Sequence, residues 1–348
     1  MRHTMSHWRF GCSIPHAALL QNAGSNLMLS IVTINSDGAS DTLKCIDSIC
    51  KNPPNLPFEI ILVDNYSGED IGPFILEYSG VVRLVNAPCR QGFSKNCNLG
   101  INHARGDLLL ILNNDTLIQS GTLDALLNGL FSNPGFGAVG PKIISSTGTI
   151  QVDCARKEYN FRSYVFDELV FDSGLPSGWI RNWWRRGLIA RRRTGPVDAI
   201  SGACILTTRE KLREVGLFDE GYDFYFEDLD WCRRVREHGM ANGYIADSVL
   251  VHLGDRSARN VKIWAQQSKY KGALRYLSAR CGLTIAGQWL LWLVTMLVFF
   301  QRWLCFSAGN ALLRRASTHS LAYWELLKWL TGHMRPPYAD EESAQGGQ

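Results

Sequence analysis

Residues 108–118 read LLLILNNDTLI. An unbroken apolar run from Leu108 to Leu112 is too short to cross a membrane and fits a strand buried on both faces of a parallel sheet. It ends on Asn113, Asn114 and Asp115, and the carboxyl end of a central strand is where open α/β sheets bind ligands. One Asp flanked by amides suits a hard divalent cation holding a diphosphate, because Mg²⁺ takes few carboxylates and leaves its other positions to water and phosphate oxygens. The same three residues also make an ordinary turn after a strand. Partners elsewhere in the chain decide between the two.

The chain has 348 residues, enough for one large domain and an appendage. Apolar residues make up 46% and charged residues 20%, as in globular proteins, and a net charge of +4 is too small to argue for nucleic acid. The ten cysteines are scattered, with no CxxC pair to suggest zinc or redox work, so reduced thiols in a cytosolic compartment are the simplest account. Residues 1–26 are polar and aperiodic, without the apolar core of a signal peptide, and read as a disordered extension.

The organised chain starts at Leu27 with LMLSIVTIN, a buried strand ending near Asn35. Asp41 is a plausible N-cap for a helix carrying Leu43, Ile46 and Ile49, which Pro53, Pro54 and Pro57 end. The next strand, Phe58 to Val63, runs into Asp64, repeating the design of a buried strand that presents a carboxylate and then an amide. Strands and helices alternating at this spacing imply right-handed βαβ units, which put Asp64 and Asp115 at one sheet edge. An Asp there can accept hydrogen bonds from a base or a ribose. Neither GxGxxG nor GxxxxGK[ST] lies between these strands, which disfavours a dinucleotide fold and a P-loop.

A third strand, Val81 to Val85, leads to a turn at Gln91-Gly92-Phe93 and a helix starting at Ser94 or Asn96. Gly92 lets backbone approach a ligand closely, or is a plain turn glycine. A helix from Leu123 to Phe131 and a strand near Ala138 and Val139 follow. The turn or strand Ser201-Gly202-Ala203 precedes a short helix capped by Thr208 and ended by Gly216. Glu227, Asp228 and Asp230 open another helix directly after Phe224-Tyr225-Phe226. Acids in a first turn are favoured by the helix dipole, but carboxylates behind three aromatics are also desolvated, which raises a pKa and yields a usable general base. His252 ends the apolar run Ser248 to Val251; it is a structural histidine or, beside Asp115, a further ligand suited to Mn²⁺.

These residues resemble the inverting family-2 glycosyltransferases of GT-A fold, in particular the rhamnosyltransferase-like branch that builds O-antigen and other bacterial surface polysaccharides. The resemblance covers Leu27 to Gly254 and rests on SIVTIN, EIILVDNYS, QGFSKNCNLGI, LLLILNNDTLI, ISGACILTTREKLREVGLFDE, FYFEDLDWCRRVREHG and VHLGDRS in this order. It implies an α/β, Rossmann-like, mixed but mainly parallel sheet flanked by helices. It implies that Thr33 and Asp64 line the base and ribose, and that Asn35, Gly92, Asn114 and Gly202 complete the nucleotide-sugar site. Asp115, ending the DxD equivalent, and His252 would hold Mg²⁺ or Mn²⁺; Asp228 would be the base that deprotonates the acceptor, with Glu227 positioning the acceptor or that base. Ile34 stands where the family usually has Tyr, and Asn113 where it has the first acid of DxD. The implied donor is a dTDP- or UDP-sugar, dTDP-rhamnose first, and the implied acceptor a lipid-linked glycan. A polyprenyl-phosphate glycosyltransferase and a non-catalytic sugar-nucleotide-binding scaffold are the competing readings.

Trp179 to Arg193, WIRNWWRRGLIARRR, interleaves aromatics with arginines and suits a membrane surface or a lipid diphosphate; a solvated loop is the plainer reading. From Arg256 the composition changes, and Cys281 to Gln301 carries no charge. That stretch spans a bilayer, lies in its interface, or packs on the apolar stretch Leu321 to Leu330. The expected layout is an extension over 1–26, a catalytic domain over 27–255, a membrane-associated helical region over 256–335 and a disordered tail over 336–348. The positive flanks put the catalytic domain at the cytoplasmic face of the inner membrane.

Overall fold

A computed structural model describes residues 27–151, 154–166, 193–254, 263–313, 318–333 and 336. Residues 1–26 and 337–348, and all of Trp179–Arg193 except Arg193, lie outside them. Among the described residues nine strands form one sheet: β1 (Leu29–Asn35), β2 (Phe58–Asp64), β3 (Val82–Asn86), β4 (Leu108–Leu112), β5 (Thr116–Ile118), β6 (Phe136–Ile144), β7 (Gly195–Val197), β8 (Cys204–Thr208) and β9 (Ala241–His252). The order is β3-β2-β1-β4-β8-β6-β9-β5, with β7 paired to β9.

Register fixes which residues share an edge. In the parallel half, Asn35 pairs with Asp64 and Asp64 with Asn86, so these strand ends align. β8 runs antiparallel to β4 with Cys204 opposite Leu112, which brings the residues before Cys204 to the same edge as Asn113. The stretch 108–118 is therefore two strands. Asn113, Asn114 and Asp115 carry the chain from β4, in the middle of the sheet, to β5 on the far side, where Thr116 pairs with His252.

Every residue of β1 and β4 is buried, as strands covered on both faces require, including the polar Ser30, Thr33 and Asn35 of β1. Helix α1 (Ala39–Lys51) buries Thr42, Cys45, Ile46 and Ile49, the spacing of one helical face. It starts earlier than the sequence predicts: Gly38 is the N-cap, and Asp41 sits in the first turn paired with Lys44. Helix α2 (Phe93–His103) likewise starts at Phe93, with Gly92 as N-cap. Helix α3 (Thr122–Phe131) packs on β9 and β6. A short α4 (Phe161–Phe166) follows. Thr208 caps α5 (Arg209–Val215) as predicted, its Oγ1 accepting from Lys211 N at 3.1 Å, and Gly216 ends it.

Helix α6 (Glu227–Glu237) carries the acidic cluster. Here the sequence reading of Asp230 as helix capping gives way to a tertiary role. The Asp230 side chain is buried and accepts from Arg234 Nε at 2.8 Å on its own helix and from Arg280 Nε at 2.7 Å on α7 (Ile263–Cys281). Arg275 of α7 forks onto Asp219, both contacts at 3.0 Å. So α7 packs into the catalytic body, with Tyr270, Ala273, Leu274, Tyr276 and Leu277 buried.

Beyond Gly282 (φ +64°), α8 (Ile285–Leu313) and α9 (Thr318–His333) form a helical pair. α8 buries Leu291, Thr295, Val298, Phe299 and Arg302, while Ile285, Trp289, Leu293, Leu297 and Leu304 stand exposed along its other side. Tyr164 of α4 hydrogen-bonds Thr295 at 2.7 Å. The segment Ile285–Ala308 is long and apolar enough to cross a membrane by length and composition alone.

Candidate active site

A cleft of about 880 Å³ opens at the edge where β1, β2 and β4 end. Ile34, Asp37, Asn65, Arg90, Asn114 and Asp115 are among the residues that line it on the strand-end side, and Asp223, Phe224, Trp264 and Ser268 belong to the loop before α6 and to α7.

On β1, Thr33 is fully buried with no hydrogen-bond partner for its hydroxyl, and its neighbour Ile34 faces the cleft. The alternation of a strand sends the two to opposite faces. Asn35 is buried and works as a local hub. Its amide donates to Asp64 at 3.0 Å and to Ser67 at 3.2 Å, and its carbonyl accepts from Gly38 N and Thr42 Oγ1. Asp64 is also buried: it accepts from Asn35, from Ser67 Oγ at 2.6 Å and from Ser67 N at 3.1 Å. The cleft wall beside it is Asn65, whose side chain grips Gln91 through both its oxygen and its nitrogen.

Asn114 lines the cleft and donates to Thr42 Oγ1 at 2.8 Å. Asp115 lines it too, with Oδ1 3.1 Å from His252 Nε2. Gln151 settles the histidine's tautomer. Its Nε2 donates to the His252 carbonyl, so its Oε1 is the atom 2.9 Å from Nδ1, and an amide oxygen only accepts. Nδ1 therefore carries a proton, and Nε2 is the ring nitrogen that faces the Asp115 carboxylate. A carboxylate on the cleft wall with an imidazole nitrogen 3.1 Å behind it would fit Mg²⁺ or Mn²⁺, which fill their remaining positions from water or phosphate. No group of three or more His, Cys, Asp or Glu side chains converges among the described residues.

Asp228 sits at the start of α6. Its Oδ2 accepts from Gly202 N at 2.8 Å and pairs with Arg156, and its Oδ1 accepts from Leu229 N at 2.8 Å. Oδ1 keeps a lone pair, because a carboxylate oxygen accepts more than one bond. Gly202 thus packs directly on Asp228: a Cβ there would stand 3.2 Å from Asp228 Cβ. Its turn reaches the loop after β4 as well, since Asn113 N donates to Ala203 O at 3.0 Å. Glu227 is buried with Oε2 unpartnered; desolvation first, then the charge of Asp228, push its pKa up to about 8. Burial behind the aromatic run thus raises Glu227.

The aromatic run has a strained backbone. Tyr225 (φ +69°) and Phe226 (φ +73°) both adopt the left-handed region, which costs non-glycine residues about 1–3 kcal/mol each and persists at functional sites. Surrounding contacts impose it. Phe226 packs edge-on against Tyr159 at 5.2 Å and in a tilted arrangement against Tyr276 at 5.9 Å. Phe93 N donates to Asp223 O at 2.6 Å, and a Cβ on Gly92 would fall 2.7 Å from Asp223 Cα, so Gly92 permits a close backbone approach to the loop.

Sequence reasoning missed several residues. Asp37 (φ +60°) pairs with Arg90 across the cleft, and that guanidinium holds its carboxyl below the usual range. Arg156, which meets Asp228, carries no local signal. Trp264 reaches the cleft from α7, far in sequence from the ends of β1, β2 and β4. Arg90 stands directly before the Gln91-Gly92-Phe93 turn, which is the signal that could have found it.

Residues 29–216 match the family Glycosyl transferase family 2. The chain belongs to that family. It is 26% identical over 210 residues to the N-acetylglucosaminyl-diphospho-decaprenol L-rhamnosyltransferase of Mycobacterium tuberculosis, covering 56% of this chain and 66% of that one. It is 28% identical over 222 residues to the O-antigen biosynthesis protein RfbC of Myxococcus xanthus, covering 62% of this chain and 16% of the relative. The fold is similar to GalNAc-T7 solved with UDP, GalNAc and Mn²⁺ (TM-score 0.51, 18% identity, 72% of this chain, 51% of that chain). It is also similar to mannosyltransferase PcManGT from Pyrobaculum calidifontis with GDP-Man and Mn²⁺ (TM-score 0.50, 16% identity, 92% of this chain, 94% of that chain). This family-2 protein is a glycosyltransferase of GT-A fold, as the resemblance implied.

Proposed function

We propose that this family-2 enzyme is an inverting, divalent-metal-dependent glycosyltransferase that moves a sugar, rhamnose from dTDP-rhamnose as first candidate, onto a lipid-linked glycan. The observation that carries the reading is His252 Nε2 set 3.1 Å from the carboxylate of Asp115, which lines the cleft. Asp115 and His252 would hold the cation, which when bound neutralises charge on a leaving diphosphate. Asn65, Asn114 and the Asp37–Arg90 pair supply polar contacts for the nucleotide sugar. Asp228 takes the proton of the acceptor hydroxyl as that oxygen attacks the anomeric carbon, the bond to the diphosphate breaks on the far side, and configuration inverts. Direct displacement needs no enzyme nucleophile. The mycobacterial relative's name specifies a lipid diphosphate carrying N-acetylglucosamine and L-rhamnose as the sugar, which supports this donor and acceptor class.

Membrane association belongs to the same proposal. The exposed stripe of α8 is the opposite side of a helix whose inner side packs on the rest of the protein, and α9 carries the exposed pair Glu325–Lys328. A hairpin crossing the bilayer would put that pair in hydrocarbon at a cost of several kcal/mol. The helix therefore lies in the interface, at the cytoplasmic face where sugar nucleotides are made.

The test supplies purified protein and Mn²⁺ with dTDP-rhamnose, UDP-glucose, UDP-galactose or UDP-N-acetylglucosamine, and with either polyprenyl-diphospho-N-acetylglucosamine or polyprenyl phosphate. Metal-dependent release of nucleoside diphosphate with the diphospho-sugar acceptor is expected. Turnover with polyprenyl phosphate alone moves the assignment to that class, and metal-dependent donor binding without release leaves a binding scaffold.

A further inference from the structure

A cation from a distant segment sits on Asp228. Arg156 Nη2 pairs with Asp228 Oδ2, the oxygen that also accepts from Gly202 N at 2.8 Å. A carboxylate oxygen offers two lone-pair sites, so these contacts fill Oδ2. Oδ1 accepts from Leu229 N at 2.8 Å and keeps its second site.

The arginine is fixed from both sides. Its backbone forms an antiparallel bridge with Ala199, N to O at 2.8 Å and O to N at 3.1 Å, and its guanidinium reaches Ile200 O at 3.4 Å. Two residues on, Glu158 N donates to Asp198 Oδ2 at 2.9 Å, and the Glu158 carboxylate pairs with Arg233 and Arg236 of α6. The stretch 198–202 therefore carries both partners: Ala199 fixes Arg156, and Gly202 fixes Asp228. An arginine whose backbone is already ordered loses less entropy in holding a carboxylate than a loose surface side chain does.

Two adjacent carboxylates in a desolvated site do not both stay ionised at neutral pH. Glu227 has Oε2 buried without a partner, whereas Asp228 has three donors, one of them a cation. Cys97 of α2 lies in the field of Glu227, and Cys232 of α6 in that of Asp228. Burial pushes both thiols up, Cys232 to about 12, so neither gives up a proton near neutrality. Arg236, which acts on Cys232, is engaged with Glu158.

We infer that Arg156 is a positioning residue for the base: by holding Oδ2 it keeps the negative charge on Asp228 rather than Glu227 and leaves Oδ1 as the atom that takes the acceptor proton. This rests on the glycosyl-transfer reading. The proton passes from the acceptor hydroxyl to Oδ1 as the acceptor oxygen bonds the anomeric carbon. The bond from that carbon to the diphosphate breaks with its electron pair on the leaving oxygen, and Oδ1 then returns the proton to water.

Two measurements test it. Rates with dTDP-rhamnose, Mn²⁺ and polyprenyl-diphospho-N-acetylglucosamine are compared from about pH 5.5 to 8.5 for the parent protein, Arg156→Lys and Arg156→Met. In Arg156→Met kcat should fall by about tenfold or more, most steeply at the acid end, with KM for both substrates within about twofold. Arg156→Lys should lose less. Guanidinium ion should restore part of the Arg156→Met rate, because the Asp228 and Arg156 side chains are 12% and 22% exposed and a small cation reaches the pair. A loss that is equal at every pH and untouched by guanidinium makes Arg156 merely structural, and a raised acceptor KM at constant kcat makes it a substrate contact; either overturns the assignment. Infrared spectra with carboxyl-¹³C aspartate read the charge without turnover. Arg156→Met should gain a protonated aspartate band that disappears when Asp228→Asn is added, and its absence overturns the assignment too. The transfer reading fails separately, if no donor gives nucleoside diphosphate release with any acceptor; the infrared comparison still decides where the charge is held.

Discussion

His252 Nε2 and Asp115 Oδ1 stand 3.1 Å apart, with Gln151 holding the far ring nitrogen at 2.9 Å. If the pair holds the cation, Asp115→Ala and His252→Ala should abolish metal-stimulated nucleoside diphosphate release at any practical Mn²⁺ concentration. Gln151→Leu, which frees the tautomer, should raise the Mn²⁺ needed for half-maximal rate by about 10–100-fold, as outer partners of metal ligands do. A Gln151→Leu enzyme with an unaltered Mn²⁺ titration would refute the arrangement.

Asp228→Asn keeps the shape of the side chain and removes the proton acceptor. Turnover should fall by roughly 10²–10⁴-fold, the usual contribution of general base catalysis, with donor binding by thermal shift retained. A smaller loss in kcat would move the base elsewhere.

Burial raises the Glu227 pKa from 4.5 to about 8. Below about pH 4.5 both folded and unfolded chains hold this proton; between there and pH 8 only the folded chain does, so stability falls as pH rises through that window. Glu227→Gln removes the titration. Relative to the parent protein, its melting temperature should rise between pH 5 and pH 8, read by scanning calorimetry; a pH-independent offset would contradict the shift.

Asp230 is the buried joint between α6 and α7. Asp230→Ala leaves Arg234 and Arg280 without their carboxylate, and removing one partner of such a buried network costs about 3–5 kcal/mol. Denaturant unfolding should show a loss of that order; a loss under about 1 kcal/mol would mean the two arginines find water instead.

The α8 stripe gives a fourth kind of measurement. Replacing Leu293 and Leu297 by Glu should abolish flotation with anionic phospholipid vesicles and leave the melting temperature nearly unchanged, because both side chains already face outward. If the double variant still floats, the stripe is not the lipid contact; if the parent protein forms a dimer that the variant loses, the stripe is a self-contact.

The sequence by itself determined the sheet's parallel half and the edge at which the site lies. LLLILNND, FEIILVDN and LMLSIVTIN each carry a run of buried side chains followed by polar residues, and local periodicity with βαβ handedness leaves little choice of where those ends go. It also singled out Asp115, Asp228 and His252 as candidate site residues. Tertiary structure alone decided what those residues meet. Asp64 and Gly202 turned out to hold Ser67 and Asp228, Thr33 turned inward, Arg156 arrived from a separate segment, and α7 joined the catalytic body through Asp230 and Asp219. The reason is range: strand and helix patterns are written in neighbours a few residues apart, whereas an ion pair or a stacked ring joins residues dozens of positions distant, and nothing in either segment alone encodes its partner.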